Sequence, residues 1–160
     1  MRFSLLLIIF FNLFTNLFAA DSVVVYSPDK KISVSVHYKD KITYTINYGN
    51  ETILQPSLID VVLENGQSLS NDLRLQKKSI TSFNEKIISP VPEKRKEIIN
   101  DYNELTLQFK QPYALLFRVY NDGLAYRIIT HFKDSIIIKN EIALFNFDKN
   151  KKILLLIVEP

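Results

Sequence analysis

The amino-acid sequence predicts an all-β protein, an antiparallel β-sandwich. Three observations carry that expectation. Apolar residues recur with period two along most of the chain after residue 30, as in half-buried strands. Gly, Asn and Asp, the residues that reverse a chain, separate the runs. No run combines helical spacing with caps, and no crossover is long enough to join parallel strands.

The elements follow in order. The first twenty residues place Arg2 before an apolar core and end at Ala19 and Ala20, the layout of a secretory signal peptide. Asn and Thr interrupt that core, so it makes a poor membrane span. No Cys follows it, which excludes a lipoprotein anchor. The mature chain is expected to start near Asp21, with cleavage after Ala19 or Ala20, and to be exported. Ile32, Val34, Val36 and Tyr38 alternate in one strand, and Ile42, Tyr44, Ile46 and Tyr48 in the next. Gly49 and Asn50 make the turn after them. A further strand covers 57–63 and ends at Asn65 and Gly66. Residues 70–100 are polar, contain Pro90 and Pro92 and show weak alternation, so they read as a long connection with one short strand at most. Strands return with Leu105, Leu107 and Phe109, then 113–120 and 124–132 as a hairpin, then 135–147 as one strand or two short ones. About eight strands are expected, with Gly123 in the left-handed conformation closing a three-residue loop at Asn121-Asp122-Gly123.

Composition narrows the chemistry. The 160 residues suit one domain, 47% hydrophobic and 23% charged. The net charge of +3 is small and the Lys residues are scattered, which argues against nucleic acid as partner. With no Cys there is no disulfide, thiolate nucleophile or zinc-finger spacing. Three Gly residues, each in a turn, leave no phosphate-cradling loop and no nucleophile elbow. His37 and His131 both read as strand histidines without metal-ligand spacing around them. Asp40, Glu64, Asp72, Glu85 and Glu93 fall in turns and connections, as does the Lys94-Arg95-Lys96 run. Trp is absent, so any sugar stacking would fall to the eight Tyr residues. The residues alone supply no catalytic set.

One ordered series of motifs is specific. Asn103-Glu104-Leu105 starts a strand, Phe117-Arg118-Val119 lies in the next, and Asn121-Asp122-Gly123 and Tyr126-Arg127 follow. With the Ser27-Pro28 opening and the two short hairpins after it, this order resembles the N-terminal domain of glycoside hydrolase family 97, over residues 22–147. The resemblance implies a galactose-mutarotase-like super-sandwich that supports a catalytic (β/α)8 barrel in exported bacterial α-glucosidases and α-galactosidases. It implies carbohydrate substrates, catalytic carboxylates on the barrel and a calcium ion at the active site. Glu141 matches the carboxylate that the sandwich contributes to that calcium; substrate-binding residues are unknown and no catalytic residue is assigned. Residues 148–160, with Lys149, Lys151 and Lys152 before the apolar run Ile153–Val158, read as a divergent or truncated tail, either a last strand or an out-of-register ending. The expectation is therefore an incomplete sandwich, truncated before the barrel and inactive alone. The alternative is a freestanding carbohydrate-binding accessory protein.

Overall fold

The structure, a computed structural model, describes residues 21–91, 96–148 and 152. Residues 1–20, read above as a signal peptide, Lys94, Arg95 and the run 153–158 lie outside the described residues. Ten strands form two antiparallel sheets, with no helix among the described residues. The first sheet comprises β1 (Ser22–Tyr26), β2 (Ile32–Tyr38), β3 (Ile42–Tyr48) and β4 (Glu51–Leu63) in sequential order. Two short strands, β9 (Ile138–Ala143) and β10 (Asn146–Phe147), pair with successive parts of β4. The second sheet is a meander of β5 (Leu75–Ile88), β6 (Glu97–Phe109), β7 (Tyr113–Tyr120) and β8 (Leu124–Thr130).

Alternation explains the core. Val34 and Val36 of β2, Tyr44 of β3, and Leu54, Ile59 and Val61 of β4 point inward from the first sheet. Leu105, Leu107 and Phe109 of β6 and Leu115, Phe117 and Val119 of β7 meet them from the second. Tyr44 packs with Phe117 and Tyr126, ring centroids 5.9 and 6.0 Å away. A shift of one residue in any of these strands would turn its apolar set to water.

The sheets are staggered by a strand. β1 lies over β6 and β2 over β7, while the Tyr44–Tyr126 contact sets β3 over β8. On one flank β5 therefore projects past the first sheet. On the other, β4 with β9 and β10 projects past β8. Polar latches fix this stagger. The Asn103 side-chain amide donates to the Tyr26 carbonyl at 2.7 Å. The Asp29 backbone amide donates to Asn121 Oδ1 at 2.9 Å. Ser27, fully buried, holds the loop between them: its hydroxyl donates to Asp29 Oδ1 at 2.7 Å and accepts the Ile32 amide at 3.0 Å.

Three sequence expectations change. Residues 70–100 are not a loose connection: β5 spans 14 residues and β6 begins at Glu97. Their alternation is faint because β5 is exposed on both faces, so neither face had to be apolar. The strand beginning at Leu124 stops at Thr130, which leaves His131 just outside it, whereas His37 is in β2. Gly49 (φ 56°) and Gly66 (φ 81°) take left-handed conformations as expected, but Gly123 does not. Leu124 pairs with Val119 and the Tyr120 amide donates to the Gly123 carbonyl at 2.9 Å, so Asn121 and Asp122 alone make the reversal.

Candidate functional site

The stagger creates the site. Where β4 and β9 project beyond β8, a cleft of about 480 Å³ opens between the sheets. Val61, Leu63 and Leu69 form its floor, Tyr126 and Ile128 of β8 one wall, and Glu141 of β9 the opposite rim. A second apolar groove of about 420 Å³ continues along the same flank past Leu124, Tyr126, Phe145 and Phe147. Tyr126 lines both.

Register explains why a carboxylate sits here. Glu141 is paired directly with Val61, and cross-strand partners share a face. Val61 points into the core, so Glu141 is also on the inner face of its sheet. It stays exposed because, among the described residues, the opposite sheet ends at β8. Tyr126 registers its presence: burial raises the phenol above its ordinary range, and the Glu141 charge raises it further. Burial pushes the neighbouring Tyr44 phenol up to about 12, with Tyr126 adding to it. Neither tyrosine is a proton donor or acceptor suited to neutral pH.

Among the described residues no three His, Asp or Glu side chains converge as a metal site. The donor chemistry nevertheless fits calcium in kind, since Glu141 offers hard oxygen ligands at an accessible rim. It falls short in number, because Ca2+ takes about 6–8 oxygens.

The other motif residues serve the scaffold. Asn103 and Asn121 are the latches described above. Glu104 accepts from Arg118 Nε at 2.7 Å across β6 and β7, and that guanidinium lies 4.8 Å over the Tyr102 ring. The hydrogen bond to Glu104, more than any other cause, raises the Arg118 pKa. Asp122 and Arg127 are exposed, and the structure does not bring them together as a site. The aromatic row Phe83–Tyr102–Tyr120 crosses the outer face of β5 to β7 at 4.9 and 5.0 Å spacing. Its middle ring is 3% exposed and covered by its neighbours, so it offers no open face for a sugar. Sequence reasoning missed Tyr126 as the centre of the cleft. Its alternation with Leu124 and Ile128 marked the face, but nothing local marked β8 as the outer strand of its sheet among the described residues.

Known proteins share this fold. A profile of the Glycosyl-hydrolase 97 N-terminal family matches residues 25–158. Over 121 residues the chain is 36% identical to a retaining alpha-galactosidase of Bacteroides thetaiotaomicron, which covers 76% of this chain and 18% of that protein. A glycoside hydrolase family 97 enzyme of Pseudoalteromonas sp. strain K8, solved with panose, superposes with a TM-score of 0.70 at 23% identity, over 79% of this chain and 20% of that one. A beta-arabinopyranosidase superposes at 0.67 with 25% identity, over 79% and 21% of the two chains. The chain thus spans about a fifth of the length of these relatives.

Proposed function

The chain belongs to the glycosyl-hydrolase 97 family through its N-terminal domain, and from that premise we propose that it is the exported, non-catalytic sandwich of an α-glycosidase, whose open flank faces a catalytic barrel. The observation that carries this reading is the inward-facing Glu141 at the exposed rim of the cleft. A charge on the inner face of an edge strand also discourages unwanted pairing. Here it stands beside an accessible cleft in a chain of this family, which favours a ligand role. Glu141 would hold one coordination position of a calcium ion, the barrel supplying the rest. When bound, such an ion attracts oxygen groups and offsets negative charge nearby. The chain's own part is to fix Glu141 in register through β4 and to keep the flank dry with Tyr126 and Ile128. The substrate would be an α-glucoside or α-galactoside held by the barrel.

A domain graft tests this. The sandwich of the Bacteroides alpha-galactosidase is replaced by this chain, and hydrolysis is followed against calcium concentration. The expected result is an active chimera in which Glu141→Gln raises the calcium needed for half-maximal activity about tenfold or more. An active chimera whose calcium dependence ignores that substitution would overturn the ligand role. The purified chain without a barrel is expected to release no chromophore from aryl α-glycosides; steady release would overturn the non-catalytic reading.

A further inference from the structure

At one end of the sandwich, where β4 stops at Leu63 and β6 turns into β7, another hollow of about 310 Å³ opens. Three side chains pin its walls. The buried Asp60 carboxylate accepts the Val61 amide at 2.8 Å, the Ser70 amide at 3.2 Å and the Ser68 hydroxyl at 2.6 Å. The Tyr113 hydroxyl donates to the Leu69 carbonyl, and the Gln111 side-chain amide donates to the Asp72 carbonyl. Leu63, Leu69, Tyr113 and the half-buried Phe132 give the hollow its apolar lining. Gln67 and Asn71, both exposed, add uncharged amides. Asp72, the charged member of the lining, is already paired with Arg74 at 2.8 Å. One atom of the lining residues is left over. Gln111 Oε1 is buried and meets no donor among the described residues. Reversing that amide would aim its oxygen at the Asp72 carbonyl, so its orientation is set. A buried acceptor without a donor is costly.

We propose that this hollow binds a single neutral sugar ring, one of whose hydroxyls donates to Gln111 Oε1. Three features select that class. The missing partner is a donor, and a sugar is dense in hydroxyl donors. The lining combines uncharged amides with an aromatic ring, and a sugar offers hydroxyls at its edge and C–H groups on its faces. The volume lies at the small end of ligand sites, which run from about 300 to 1,000 Å³, so it suits one ring rather than a chain of them. The walls are held by hydrogen bonds before any ligand arrives, which lowers the cost of binding. Leu63 and Leu69 also line the cleft beside Glu141, but the two hollows share no polar residue. The sugar site therefore stands or falls separately from the calcium role of Glu141.

The test is a titration of the full, isotope-labelled chain, without calcium, followed by the NMR shifts of its backbone amides. Methyl α-galactoside and methyl α-glucoside are the probes, with glycerol as control. The expected result is a saturable shift at millimolar sugar, confined to residues 67–72 and 111–113, with at least one of the two sugars and not with glycerol. Gln111→Met keeps the size of the side chain and removes the acceptor; it should weaken binding about fivefold. That substitution also removes the bond to Asp72, so Asn71→Ala gives a second reading, and it too should weaken binding about fivefold. If Gln111→Met unfolds, Asn71→Ala alone decides. No saturable shift would mean that solvent alone meets Gln111 and would overturn the site. So would shifts centred on residues 138–143, an equal response to glycerol, or an affinity that both substitutions leave unchanged.

Discussion

The outer strands of the second sheet, β5 and β8, are opposite in physical character. β5 is long, charged and exposed on both faces, and Lys86 pairs with Glu97 of β6 at 3.2 Å near its end. β8 is short, nearly uncharged and half inserted beneath β3. The stagger between the sheets produces both conditions. Among the described residues it leaves β5 with no strand above it and makes β8 the last strand beneath the first sheet. An edge exposed to water throughout acquires charges; an edge that adjoins a core keeps its apolar face.

Substitutions sharpen that contrast. The largest effect is expected at the shared centre. Phe117 is fully buried between Tyr44 and Tyr126, and Phe117→Ala should cost ~3–5 kcal/mol in urea unfolding. Ile80→Ala on β5, where the side chain is half exposed, should cost less than ~1 kcal/mol. Equal costs would mean that β5 is as buried as the core. Next comes the ion pair on the outer face. Glu104→Gln should lower stability by ~1–2 kcal/mol, because it removes the charged acceptor of a half-exposed guanidinium. The latches follow. Asn121→Ala should cost ~1 kcal/mol while Asp122→Ala beside it stays within ~0.5 kcal/mol. If the two behaved alike, Asn121 would be a turn residue and nothing more.

The same loop gives a pH signature. The Ser27 hydroxyl first, then the Lys31 amide, hold the Asp29 carboxyl below its ordinary value of 3.8. A depressed folded-state pKa contributes stability above the unfolded value and loses it as pH falls through the folded one. The stability difference between the chain and Asp29→Asn should therefore be constant above pH ~5 and shrink below pH ~4. A difference that grew on acidification would reverse the assignment. The smallest effect is at Gly123. An added Cβ meets nothing within 4 Å and the backbone is not left-handed, so Gly123→Ala should change the melting temperature negligibly. Gly66→Ala, at φ 81°, should cost ~1 kcal/mol.

Much of this was legible in the sequence. Period two placed β2, β3 and β8 almost to the residue, because each turns one face to the core; β7, buried along most of both faces, was marked by its apolar run. It failed for β5, which buries neither face and so leaves no periodic trace. The motifs Asn103-Glu104 and Asn121-Asp122-Gly123 were visible as signatures, yet their work was not. Asn103 and Asn121 act on the backbone of residues 77 and 92 positions away, and no local pattern encodes that reach. Glu141 was placed by resemblance; its inward direction came only from pairing with Val61.

Amide hydrogen exchange, resolved residue by residue on the full chain, tests the central claim about the two edges most directly. The account predicts that the β5 amides bonded to β6 exchange faster than the β8 amides bonded to β7, because β5 is open to water on both faces while β8 packs one face on the core. Equal exchange of those two sets of amides would show that the core shelters both edges alike and would contradict the account.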